Sequence, residues 1–219
     1  MYDTDADPHE VVNLAARPDF RTELARLRQA LDAHMLAVND NGFIPESETA
    51  EGYVRSRDRA LYPLPEITAV AASAIDRTQA SVPALRDALS HPNEIVRYWA
   101  AAGFRIRGRA VATYRGQLAA TFDRESSRFT RLALAEALVA VAHDRRGLDH
   151  LASALRHDPD GWLRLQAANA LDRVGRDALP VIDALYAATT RFASDADTHT
   201  RNACSYTIRK LEGGSPSIP

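Results

Sequence analysis

Asn93-Glu94-Ile95-Val96-Arg97-Tyr98-Trp99-Ala100-Ala101-Ala102-Gly103-Phe104 opens a helix, and its recurrence along the chain decides the fold. Asn93 has the short polar side chain that accepts hydrogen bonds from the free amides of a first helical turn. Counting from Arg97, Ala100, Ala101 and Phe104 lie three, four and seven residues on, so all three share one helical face. The arrangement returns as Ser127-Arg-Phe-Thr-Arg131, Asp160-Gly-Trp-Leu-Arg164 and Asp197-Thr-His-Thr-Arg201, with the arginines at intervals of 34, 33 and 37 residues. Each segment is expected to begin a helix at the Asn, Ser or Asp that stands four residues before its arginine.

The buried stripe repeats with the arginines. Four residues after each comes Ala101, Ala135, Ala168 or Ser205; seven after comes Phe104, Leu138, Leu171 or Ile208; three after comes Ala100, Leu134, Ala167 or Cys204. Ahead of each capped helix runs another apolar-periodic stretch: 82–89, 111–122, 148–155 and 179–192. Each repeat is therefore a helix hairpin, and small residues let neighbouring helices approach while larger ones fill the grooves. A hairpin of this kind buries its faces only against the next, which predicts an all-α, right-handed α-solenoid of about four hairpins.

Before the repeats, the turn-rich Asp3-Thr4-Asp5-Ala6-Asp7-Pro8 reads as a surface loop. An amphipathic helix follows from Pro18 to Asn39, its apolar face made by Phe20, Leu24, Leu27, Leu31, Met35 and Leu36. Periodicity is lost between Gly42 and Pro65, which predicts a connection holding at most one short helix. Pro65 then sits in the first turn of a helix that could cap the stack. The expected organisation is a first segment 1–60, a solenoid 64–212 and a flexible tail 213–219.

Composition narrows the function. Hydrophobic residues make up 46% of the 219, but aromatics only 7%, a balance that suits helix interfaces and not an all-β core. The net charge of −2 supplies no overall attraction for nucleic acid. Lys210 alone among the 27 basic residues is lysine, a bias better explained by a GC-rich genome than by a demand for bidentate recognition. One cysteine, Cys204, excludes an internal disulfide framework. The acidic MYDTDADPHE start is not a signal peptide and no long apolar run occurs, so the chain as given is expected in the cytoplasm with no membrane partner.

His91-Pro-Asn-Glu-Ile-Val-Arg-Tyr-Trp-Ala-Ala-Ala-Gly103, with its Asn-x-x-Val-Arg core, resembles HEAT repeats, and the likeness covers roughly Ser81 to Glu212. Such solenoids serve as scaffolds, as appendages of enzymes and, more rarely, as DNA glycosylases. Tyr2-Asp3-Thr4-Asp5-Ala6-Asp7-Pro8-His9-Glu10-Val11-Val12-Asn13-Leu14-Ala15 resembles the motif near the C-terminal end of sulfatases. That likeness extends through the helix into Asn41-Gly-Phe-Ile-Pro-Glu46, similar to bacterial relatives of N-sulfoglucosamine sulfohydrolase, some of which carry HEAT-like repeats after it.

The resemblance implies a sulfuric ester hydrolase whose catalytic domain belongs upstream of Met1, in a fragmentary or split gene, and whose parent could be exported. In that family a Cys or Ser within Cys/Ser-x-Pro-x-Arg becomes formylglycine, and Asp, Asn and His residues bind a divalent cation. Neither Cys204, in Cys-Ser-Tyr-Thr, nor Ser81, in Ser-Val-Pro-Ala-Leu, fits. No catalytic residue, cofactor or metal ligand is therefore assigned in this chain. The expected role is a non-catalytic C-terminal portion, with the upstream catalytic domain, another protein or a sulfated glycan as partner. The alternatives are an independent HEAT-like adaptor and, further off, a HEAT-like DNA glycosylase.

The candidate binding residues are Arg97, Trp99, Arg131, Trp162, Arg164 and Arg201. A row of guanidinium groups can hold sulfate-like oxyanions in two-point geometry, or it can serve as a ladder of pairs between hairpins. Trp99 and Trp162, with Tyr98, can stack on a sugar or base, or pack between repeats. His143, His150 and His157 recur every seven residues, but a turn at Arg145-Arg146-Gly147 is expected to break their register, and the last two lie about 10 Å apart along a helix, too far to share a metal. Asp5, Asp7 and Glu10 lack the glycine and closing glutamate of a calcium loop.

Overall fold

In the computed structural model, which describes residues 1–46, 48, 50–191 and 195–214, the secondary structure is helical, with no strand among the described residues. Two units form, Met1–Asn41 and Gly42–Pro219. In the first, the acidic start folds on itself: Asp3 accepts from the amides of Asp5 and Ala6, and Asp7 from that of Val12. Helix α1 (Arg21–Val38) ends where Asn39 turns left-handed, a conformation that asparagine tolerates. The predicted amphipathic helix is there, yet no residue of it is buried, and Leu31 is 57% exposed.

The second unit begins with α2 (Ala50–Arg55) and α3 (Leu64–Ile75), which has a proline in its first turn. The connection 42–60, grouped with the first segment in the sequence reading, lies in this unit. Four hairpins follow. They are α4 (Val82–Ala88) with α5 (Glu94–Arg107), α6 (Arg115–Arg124) with α7 (Arg128–Ala142), α8 (Arg145–His157) with α9 (Gly161–Val174), and α10 (Ile182–Arg191) with α11 (Asp195–Leu211). Residues 215–219 of the predicted tail lie outside the described residues.

Three of the four predicted caps are in place: Asn93 accepts from the Ile95 amide at 2.9 Å, Ser127 from Thr130 at 3.4 Å and Asp160 from Trp162 at 2.8 Å. Asp197 differs. It lies inside α11, buried, and its carboxylate serves another purpose. The stretches predicted as single helices over 111–122 and 179–192 each begin differently, with 3₁₀ turns at Gly108–Tyr114 and Gly175–Val181. Gly108 and Gly175 enter them at φ 54° and 61°, a left-handed exit that a residue with Cβ resists. Arg145-Arg146-Gly147 is not a turn but the first turn of α8, because Asp144 caps it by accepting from the Arg146 amide.

The second helices pack in series: α3 on α5, α5 on α7, α7 on α9 and α9 on α11. The stripe explains why. Ala100, Ala101, Phe104, Leu134, Ala135, Leu138, Ala167, Ala168, Leu171, Cys204 and Ile208 are all buried, the alanines setting the close spacing and the larger residues filling it. Gly147 allows the tightest approach, since a Cβ there would stand 2.5 Å from the Ala135 carbonyl oxygen of α7.

Candidate functional site

The predicted arginines do not share one environment. Arg97 spends all its donating nitrogens inside the protein: Nε and Nη2 meet the two oxygens of Glu125 at 2.6 and 2.7 Å, and Nη1 donates to the carbonyls of His91 and Pro92, each at 2.7 Å. Glu125 caps the C-terminus of α6, so the pair ties one hairpin to the next. Arg164 repeats the design, with Nη2 2.5 Å from the buried Asp197 and Nη1 donating to the Asp158 carbonyl. Arg201 donates to Thr198 at 3.0 Å on its own helix.

Arg131 breaks the pattern. Its guanidinium carbon lies 4.9 Å from the centre of the Phe122 ring, and its Nε is buried with no hydrogen-bond partner. The acid that corresponds to Glu125 is Asp158, the C-cap of α8, as Glu125 is of α6. Both accept the amide two residues on, Ser127 for Glu125 and Asp160 for Asp158. Asp158 is one methylene shorter, and its carboxylate is taken by Arg128.

A second set of pairs, with no signal in the arginine spacing, lies farther along the same helices. Glu136 of α7 is buried and receives Arg173 of α9 through two hydrogen bonds of 2.6 and 2.7 Å, with Arg105 of α5 at 3.4 Å. Lys210 of α11 reaches Asp172 of α9 at 2.9 Å. A repeat alignment keyed on one arginine misses these, because Glu136 occurs in only one repeat; its charge within the otherwise apolar Ala133–Leu138 run was the available clue.

Trp99 is partly buried, its Nε1 donating to the Phe43 carbonyl at 3.0 Å while its ring meets Phe43 and Tyr98 edge-on at 5.9 and 5.7 Å. It anchors the connection that precedes the hairpins. Trp162 is 46% exposed and lines a shallow groove of about 220 Å³ with Tyr98, Pro45 and Arg173. Burial raises the pKa of the Tyr98 phenol there.

The histidines are separated by their partners. His143 bonds Asp177 at 2.6 Å, whereas His150 and His157 line another groove, of about 460 Å³, together with Arg128, Arg131 and Asp158. Among the described residues no three His, Cys, Asp or Glu side chains are grouped to hold a metal ion. The residues considered for formylglycine do not fit that group either: Ser81 is buried and donates to the Asp76 and Thr78 carbonyls, and Cys204 is fully buried in α11. Among the described residues no helix is long and apolar enough to cross a membrane.

No family model matches the chain, and no solved structure matches it. One stretch is similar to part of a sulfatase. Over 48 residues the chain is 40% identical to an ulvan-active sulfatase of Formosa agariphila. That stretch is 22% of this chain and 8% of the sulfatase, so the match spans under a tenth of that protein's length.

Proposed function

We propose that this chain is a non-catalytic C-terminal portion of a sulfatase, in which the stacked helix pairs form a HEAT-like scaffold for the catalytic domain or for a protein or glycan partner. The 48-residue match to a sulfatase carries the reading. Its length is close to that of the stretch from Tyr2 to Glu46, where the sulfatase-like motifs stand. The hairpins support the scaffold role, because their arginines and acids are consumed mainly in tying repeats together. The exposed leucines of α1 supply an apolar face of the kind that a larger parent would cover.

The test is the size of the native gene product. Mass spectrometry of the protein from its source cells should find these peptides in a species well above 24.0 kDa that also yields Cys/Ser-x-Pro-x-Arg peptides. A native species of 24.0 kDa with no sulfatase domain bound to it would overturn the reading in favour of an independent adaptor.

A further inference from the structure

We propose that the groove between α7 and α8 binds a tetrahedral oxyanion, a sulfate or phosphate ester, with Arg131 as its principal ligand. The inference rests on the groove itself and not on the sulfatase reading. Among the described residues four buried arginine Nε atoms lack a partner, those of Arg107, Arg131, Arg164 and Arg209. Arg107 and Arg164 satisfy their terminal nitrogens on carbonyl, hydroxyl and carboxylate oxygens, and Arg209 has further contacts. Arg131 makes no side-chain hydrogen bond or ion pair among the described residues, and its guanidinium lies over the face of Phe122. Of its five donors only the Nε hydrogen is buried and unmet, so the four on the terminal nitrogens remain for the groove.

The surroundings suit an anion. Arg131 opens onto a groove of about 460 Å³ whose wall also carries Arg128, His150, Ser153 and His157. The one carboxylate on that wall, Asp158, is already held by Arg128 and by the Asp160 amide, so the groove keeps an excess of positive charge. Phe122 fixes two of the cationic or protonatable groups at once, with the Arg131 guanidinium over its ring and the His150 ring edge-on at 5.2 Å. Three ester oxygens could then meet a planar fork of donors already oriented by stacking. At the C-cap position where Arg97 finds Glu125, Arg131 faces Asp158, an acid one methylene shorter that is paired with Arg128.

The probes are sodium sulfate, methyl phosphate and glucosamine 6-sulfate, titrated into the whole chain at constant ionic strength with chloride as the control, and followed by NMR of the Arg131 and His150 side chains. Saturable binding is expected, weakened at least tenfold in Arg131→Gln. The Asp158→Glu variant supplies the missing methylene, so it should restore the Arg131 pair, abolish binding and raise the melting temperature. A sulfated sugar bound at least tenfold more tightly than methyl phosphate identifies a saccharide site, and the reverse order a phosphate ester site. Absence of a saturable response beyond chloride, or unchanged binding in a folded Arg131→Gln chain, overturns the proposal; so does unchanged binding in Asp158→Glu.

Discussion

Arg97 and Glu125 are joined by two parallel hydrogen bonds of 2.6 and 2.7 Å, although 28 residues separate them and one helix lies between. The Glu125 side chain is 1% exposed and that of Arg97 16%, so neither can turn to water if its partner is lost. Arg97→Ala is therefore expected to lower unfolding stability by about 3–5 kcal/mol, the cost of leaving a buried charge unpaired. Replacing both, as Arg97→Met with Glu125→Leu, should recover most of that loss, because the pair itself must offset its own desolvation. Urea unfolding of the three proteins checks this, and a double variant as unstable as the single one would show that the pair shapes the packing around it.

Gly147→Ala should also destabilise, even though alanine is the better helix former. The new Cβ would stand 2.5 Å from the Ala135 carbonyl oxygen and 3.2 Å from Leu138 and Val139 side-chain atoms. Moving a helix backbone to relieve such overpacking costs about 1–3 kcal/mol, against a propensity gain of about 1 kcal/mol. Gly116→Ala on α6 is the control, since a Cβ there meets nothing within 4 Å. The melting temperature should fall for the first variant and hold or rise for the second.

These two sites show what the sequence could reveal. The hairpins, three caps and the alanine-rich stripe were legible because they repeat, and repetition turns weak local signals into a pattern. The acceptors were not. Glu125 and Asp197 stand at different distances from their arginines, 28 and 33 residues on, because one lies at the end of a first helix and the other inside a second. Asp197 also imitates a cap, and only the path of α11 shows otherwise. Gly147 looked like a turn for a related reason: glycine marks both left-handed turns and close helix contacts, and the sequence does not distinguish them. Among the six candidate residues, the structure assigns Arg97, Arg164, Arg201 and Trp99 internal partners and leaves Arg131 and Trp162 facing grooves.

Cys204 should be chemically silent in the folded chain. Burial in α11 pushes its thiol up to about 12, so the reactive thiolate is nearly absent at neutral pH. A disulfide reagent at pH 8 is expected to leave the native protein unlabelled over minutes and to label one thiol per chain in denaturant. Rapid native labelling would mean that α11 opens readily from the end of the stack.

His150 should make stability fall on acidification. Burial, and secondarily the nearby Arg131, hold its pKa below the ordinary histidine value, while Asp158 opposes them. Arg128 and His157 share the same wall, so no other carboxylate there favours the imidazolium. The folded chain then binds fewer protons at this site than the unfolded chain, and stability increases with pH through this interval. The histidine's contribution is intact above the unfolded pKa of about 6.5 and is lost as pH drops below it, levelling off beneath the folded pKa. Comparing urea unfolding at pH 7.5 and 5.5 should show a larger acid-side loss in the wild type than in His150→Gln. Sulfate bound beside Arg131 would raise the His150 pKa and shrink that difference, so the same measurement repeated with sulfate links the proton to the anion.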